Sequence, residues 1–178
     1  MSRPGNILLI TGIPGIGKTT VIKKAVASLA DLTLSGFYSD EIRLNNIRQG
    51  FTLVILNKKS IVMAHVDNDS AYRVGKYGVD VAAIDKAAQE ALTDNSATDL
   101  FIIDEIGKME CFSGLFIKKM TALLDSGKPV VATVAQKGGG LIGAVKKRPG
   151  VVLWEITKKN REEIVERIAD WARGRDIM

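Results

Sequence analysis

Gly12, Gly15, Gly17, Lys18 and Thr19 stand together in the stretch Gly12-Ile13-Pro14-Gly15-Ile16-Gly17-Lys18-Thr19-Thr20. These residue types at this spacing suit the holding of a polyphosphate. The stretch fits the pattern G-x-x-x-x-G-K-S/T at Gly12, Gly17, Lys18 and Thr19. A polyphosphate gripped by main chain needs several N–H groups turned inward, and side chains would obstruct that approach. Glycines at 12, 15 and 17 remove the obstruction and permit positive φ. A helix opening directly afterwards would present its N-terminus, with partial positive charge and unpaired N–H groups, to the phosphates. Lys18 is then expected at the β- and γ-phosphates, with the Thr19 hydroxyl as a ligand to Mg²⁺.

A second stretch with chemical content is Leu100-Phe101-Ile102-Ile103-Asp104-Glu105-Ile106-Gly107-Lys108-Met109-Glu110. Four apolar residues ending in a carboxylate describe a central strand whose C-terminal tip faces a bound cation, the edge at which open α/β sheets take their ligands. Asp104 is expected to approach the Mg²⁺ held by Thr19. Glu105 is the group placed to orient and deprotonate a water attacking the γ-phosphate. Alone, such a strand end is a common acidic turn, and the upstream phosphate loop is what makes it informative.

The elements that would position these groups can be traced along the chain. Residues 6–11 read as a buried parallel strand, and Val21, Ile22, Ala25, Val26 and Leu29 recur at helical spacing over about 18–29. A strand near 34–39 follows. Residues 43–66 read as an antiparallel meander inserted at the sheet edge, and 67–78 as polar and irregular. A helix is expected over about 81–92, and another capped by Ser113 and closed by Gly127. Val130 to Val134 is a further buried strand; Thr133 at its tip is either a γ-phosphate sensor or an ordinary strand-end threonine. Residues 135–150, rich in Gly and Lys, read either as a mobile basic segment over the site or as a solvated loop with a short helix. The last strand spans 151–156, and the last helix starts at Asn160 as its N-cap. This alternation implies one α/β domain over 1–178 with a mostly parallel sheet covered on both faces. A catalytic Glu beside the metal Asp suggests, by analogy of fold, a RecA-like P-loop NTPase with core strand order 5-1-4-3-2.

Composition bounds the rest. The chain has 178 residues with 46% hydrophobic and 25% charged content, ordinary for one globular domain. No apolar run approaches the ~20 residues needed to cross a bilayer, and Met1 to Gly5 lack a signal-peptide core, so a cytoplasmic protein without membrane contact is expected. Cys111 is the single cysteine, which precludes an intrachain disulfide. A net charge of +5 suits phosphate ligands without establishing nucleic-acid binding, which is not expected.

The segments GIPGIGKTT, SGFYSDEIR, RQGF, VGKYGVDV, IIDEIGKMECF and TKKNR, in this order, resemble a small family of thermophile-type nucleoside triphosphatases that includes a human cancer-related nucleoside-triphosphatase. The resemblance covers nearly the whole chain. It implies Mg²⁺-dependent hydrolysis of ATP, GTP, CTP and other nucleoside triphosphates to the diphosphate and phosphate, with broad base acceptance; UTP is expected among the substrates, and a monomer is expected as the acting species. It also implies that residues 12 to 20 hold the phosphates, and that Leu100, Phe101, Ile102, Ile103, Asp104, Glu105, Ile106 and Gly107 form a second nucleotide-contacting segment with Glu105 as base. Cys111, where the family pattern has Leu, departs from it, as does the glycine-rich 135–140 loop. An arginine at the γ-phosphate would come from Arg43, Arg48 or Arg73, or a lysine from Lys108; Arg161 is a candidate for the base, and His65 reads as structural. Two other functions fit the same loop. One is a nucleoside or nucleotide kinase, in which Asp40 and Glu41 orient an acceptor; the other is an ATPase module stimulated by nucleic acid. Glu105 speaks against the kinase, since a base that activates water is a liability in a transferase.

Overall fold

The computed structural model describes residues 5–174; the opening Met1-Ser2-Arg3-Pro4, expected to carry no apolar leader, lies outside that span. In chain order the elements are β1 (Ile7–Thr11), α1 (Lys18–Ser28), β2 (Leu34–Leu44), β3 (Ile47–Ile55), β4 (Ser60–His65), β5 (Arg73–Val74), β6 (Tyr77–Val79), α2 (Val81–Ala91), β7 (Leu100–Ile106), α3 (Gly114–Asp125), β8 (Val130–Val134), α4 (Gly140–Val145), β9 (Val151–Glu155) and α5 (Glu163–Ala172).

β1 shows why the sheet is buried on both sides. Ile7 and Leu9 point into one apolar core and Leu8 and Ile10 into the other, and the backbone pairs in parallel with β8 and β9. The first core is closed by α2 and α3 through Ile84, Ala88, Phe116 and Met120. The second is closed by α1 and α5 through Val21, Ile22, Ile164, Ile168 and Trp171. The strands form one sheet of nine in the order β5-β6-β4-β3-β2-β7-β8-β1-β9. Its parallel part runs β9-β1-β8-β7-β2, which is 5-1-4-3-2 when those strands are counted in chain order. The C-terminal ends of β1, β2, β7 and β8 therefore meet along one edge.

The antiparallel part is larger than the expected 43–66 insertion. β2 continues without a break to Leu44, so its distal half is itself the first strand of the extension, and a bulge between Ile42 and Arg43 interrupts its pairing with β3. The stretch 67–78, read as irregular, contributes β5 and most of β6. These strands are two and three residues long, too short for an alternating pattern to register in sequence. Packing fixes them: the Tyr77 ring stands edge-on to Phe51 at 5.2 Å, and Val79 is fully buried.

Three boundaries differ for local reasons. Leu29 and Leu92 are C-caps rather than helical residues. α5 opens at Glu163 because the Asn160 side chain is engaged elsewhere, accepting from Thr157 N and donating to Glu155 O, each at 2.8 Å. Residues 135–150 form no free-standing basic flap: α4 buries Ile142 and Val145, Lys146 Nζ donates to the carbonyls of Ala135 and Gln136, and Arg148 pairs with Asp125.

Ser113 caps α3 as expected, its Oγ accepting from Phe116 N at 2.8 Å while donating to Asp85 on α2. The Ser113 side chain is fully buried, so no water replaces it. Ser113→Ala is expected to cost about 1–2 kcal/mol of stability. A urea unfolding midpoint unchanged from wild type would show the cap to be dispensable.

Candidate functional site

The loop between β1 and α1 turns on glycines: Gly15 and Gly17 have φ of 78° and 108°, and a Cβ on Gly12 would lie 2.9 Å from Ile156 O. No side chain caps α1, whose first turn is thereby left without a side-chain acceptor for its N–H groups. Gly12, Pro14, Gly15, Gly17, Lys18, Thr19 and Thr20 line a cavity of about 930 Å³, whereas Ile13 is solvent-exposed and Ile16 is packed in the core.

Across this cavity stands the tip of β7. Leu100, Phe101, Ile102, Ile103 and Ile106, expected in the nucleotide-contacting segment, are fully buried, and none of their side chains lines the cavity; they form the strand that carries the acids to it. Asp104 and Glu105, joined by a cis peptide bond, reach into it. The Thr19 hydroxyl donates to Asp104 Oδ2 at 2.7 Å, and the Ser39 hydroxyl donates to the same oxygen at 3.3 Å. Thr133 donates to Oδ1 at 2.5 Å. Asp104, only 1% exposed, is thus held by hydroxyls from α1, β2 and β8, three elements that meet at the same sheet edge. Thr133, one of the candidates for sensing a γ-phosphate, here orients the carboxylate.

Lys18 Nζ donates to Gly12 O at 3.2 Å and lies 3.9 Å from Glu105 Oε2. Burial raises the Glu105 carboxyl above its ordinary range, Lys18 works against that rise, and Asp104 adds to it. A proton acceptor with a raised pKa has more affinity for a proton drawn from water.

Glu110 was not singled out by sequence reasoning. It sits in a short 3-10 turn over Glu110–Phe112, is 3% exposed and lines the cavity. Its pKa is pushed up to about 8, chiefly by burial and next by Glu105, while backbone N–H groups of Glu110 and Gly107 hold it down. Gly107 lies between the two acids: a Cβ there would stand 2.7 Å from Glu105 Oε1 and 2.9 Å from Glu110 Oε2. The presence of Glu110 in the same short run as Asp104 and Glu105 was the available signal. Nothing in its neighbours' types announces that the side chain turns inward.

The other candidates separate clearly. Arg43, Arg48, Lys108 and Lys137 line the cavity. Arg73 instead donates to the carbonyls of Asn68 and Lys76 and braces a turn. Arg161 is exposed and 3.8 Å from Glu162. Cys111 is half-buried, with its thiol pushed up to about 11 by burial and by Glu110, which suits a packing role. His65 accepts from Asp67 N at 3.2 Å in a strand-end turn.

For a cation, the donor set is a carboxylate and hydroxyls, all hard oxygen ligands of the kind Mg²⁺ takes. Among the described residues no group of three or more His, Cys, Asp or Glu is placed to hold a metal ion. An Mg²⁺ ion bound by so few protein oxygens would complete its shell with water and phosphate oxygens, and Thr19 Oγ1 and Asp104 Oδ2 are the adjacent oxygens that would serve it. Among the described residues, no helix is long and apolar enough to cross a membrane.

Comparison with known proteins places this geometry in a family. A family model described as NTPase matches residues 7–169. A nucleoside-triphosphatase THEP1 from Thermotoga petrophila is 38% identical over 162 residues, covering 90% of this chain and 89% of that protein. The crystal structure of THEP1 from Aquifex aeolicus superposes with a TM-score of 0.76 at 35% identity, covering 91% of this chain and 96% of the other. The solution structure of a human cancer-related nucleoside triphosphatase does so with a TM-score of 0.75 at 31% identity, covering 92% and 95%. With a sequence match along almost its full length and the same α/β fold, the chain belongs to the THEP1 family of nucleoside-triphosphatases.

Proposed function

We propose that the protein is a RecA-like P-loop enzyme that hydrolyses nucleoside 5′-triphosphates, ATP, GTP, CTP and UTP among them, to the diphosphate and phosphate with Mg²⁺. The observation that carries this reading is the 2.7 Å contact between Thr19 and Asp104, which brings the phosphate loop and the acid pair to one point from 85 positions apart. The glycine loop and the start of α1 hold the phosphates, with Lys18 against the β- and γ-oxygens. Thr19 and Asp104 hold the cation, which supplies neutralisation of charge developing on the transferred phosphoryl group. Glu105 orients a water and takes its proton as the oxygen bonds to the γ-phosphorus and the bond to the β–γ bridging oxygen breaks; the diphosphate leaves with that electron pair.

Glu105 recessed beside Lys18, its proton affinity raised by burial, supports hydrolysis over transfer, because a base that activates water is a liability in a transferase. Broad base acceptance belongs to the same reading, in which the glycine loop, Lys18, Thr19 and the acids engage the triphosphate tail, the part that all four nucleotides share. The same reading has the protein acting as a cytoplasmic monomer on nucleotides rather than nucleic acid. The test is a turnover panel of the four common triphosphates, with Mg²⁺ and with EDTA, and with no acceptor added. Free phosphate from all four is expected with the metal and none after chelation. Phosphate leaving only when a nucleoside is supplied would identify a kinase instead.

A further inference from the structure

Beyond Glu105 the cavity continues under the antiparallel extension, where Arg43, Arg48, Phe51, Met63 and Val74 line it. We propose that this far half is a second binding site, for a phosphomonoester bearing a flat ring, of the nucleoside monophosphate class. The proposal rests on the phosphate-loop reading only for where the γ-phosphate lies.

Position argues that this is a separate site. Ser39, which touches Asp104, lies on β2 with Glu41 and Arg43 further along the same strand. At the rise of an extended chain these lie roughly 7 and 13 Å beyond Ser39. The main chain at Arg43 is thus set well back from Ser39 along β2.

Charge argues for an anion. Arg43 and Arg48 are direct cross-strand partners between β2 and β3, an unfavourable like-charge pairing. One carboxylate, Glu41, lies between them, 2.6 Å from Arg43 Nη2 and 2.9 Å from Arg48 Nη1. Two guanidinium groups against one carboxylate leave a net positive charge at the cavity wall, which a phosphate would neutralise. Arg48 is also held in place: Nε donates to the Tyr77 hydroxyl at 2.9 Å, and the guanidinium lies 5.1 Å from the centre of the Phe51 ring. A fork fixed in this way loses little freedom when it takes up a phosphate. Beside the arginine, half-buried Phe51 and Val74 give the cavity wall an apolar stretch against which the edge of a ring would pack.

The test is calorimetric titration of the protein, first saturated with Mg²⁺ and a β,γ-imido ATP analogue, with AMP, GMP, CMP, UMP and inorganic phosphate in turn. The expected result is one monophosphate bound per chain, at least tenfold tighter than inorganic phosphate. Arg48→Ala and Arg43→Ala should each weaken it tenfold or more while the analogue binds as in wild type, and that unchanged affinity also shows the variants to be folded. No binding of any monophosphate, displacement of the analogue, or full affinity in both arginine variants would overturn the proposal. Failure of the analogue itself to bind would count against the phosphate-loop reading. Titration of the analogue-free protein, compared with Arg48→Ala, then decides the second site independently.

Discussion

Glu105→Gln is expected to lower kcat by about 10²–10⁴-fold, or about 3–5 kcal/mol of barrier, while triphosphate affinity stays within a few-fold of wild type. The amide keeps the shape of the side chain beside Gly107 but cannot accept a proton from water. Its removal also takes away the negative charge 3.9 Å from Lys18, which if anything favours phosphate binding. Lys18→Ala should fail differently, losing affinity as well as turnover, because the lysine is assigned to the phosphates in ground and transition state alike. Steady-state kinetics beside fluorescent-nucleotide binding separates the two. A Glu105→Gln enzyme with near-normal kcat would remove the proposed base. Full activity in Lys18→Ala would mean that the loop is not the site.

The two halves of the candidate site were legible in sequence because each is local. A glycine loop between a strand and a helix, and an acid pair ending an apolar strand, carry their geometry in adjacent residues. Their meeting was inferable only through the alternation of strands and helices, which dictates that parallel strand ends share an edge. What could not be read are features that exist only through long-range packing. The hydroxyls of Ser39 and Thr133 reach Asp104 from two other strands, and nothing in the neighbouring residue types announces that contact. The antiparallel extension exceeds the expected bounds because β5 and β6 are fixed by Tyr77 packing edge-on to Phe51, a contact across 26 positions, rather than by any run of strand-forming residues. Arg43 and Arg48 were considered for the γ-phosphate from their charge alone. Only the register of β2 against β3 shows them paired with each other along the extension.

Glu110 carries the second large effect, on stability. Its folded-state pKa of about 8 stands above the ordinary 4.5 of an unfolded chain, so between those values the native protein holds a proton that the unfolded chain has released. Stability from this group is therefore complete below about 4.5 and falls as pH rises toward 8, at up to ~1.4 kcal/mol per pH unit. Glu110→Gln substitutes a permanently neutral side chain that still offers an oxygen to the N–H groups of Gly107 and Glu110. The variant and wild type should be about equally stable at pH 5, and the variant more stable by about 2–4 kcal/mol at pH 8. Because the other titrating groups are common to both proteins, the difference between their urea-unfolding free energies across that range reports this carboxyl together with its coupling to Glu105. Parallel curves would show that Glu110 ionises freely in the native protein. Divergence in the expected direction would show that the chain keeps a carboxylic acid neutral beside Glu105, where a second ionised group would oppose the approach of a polyphosphate.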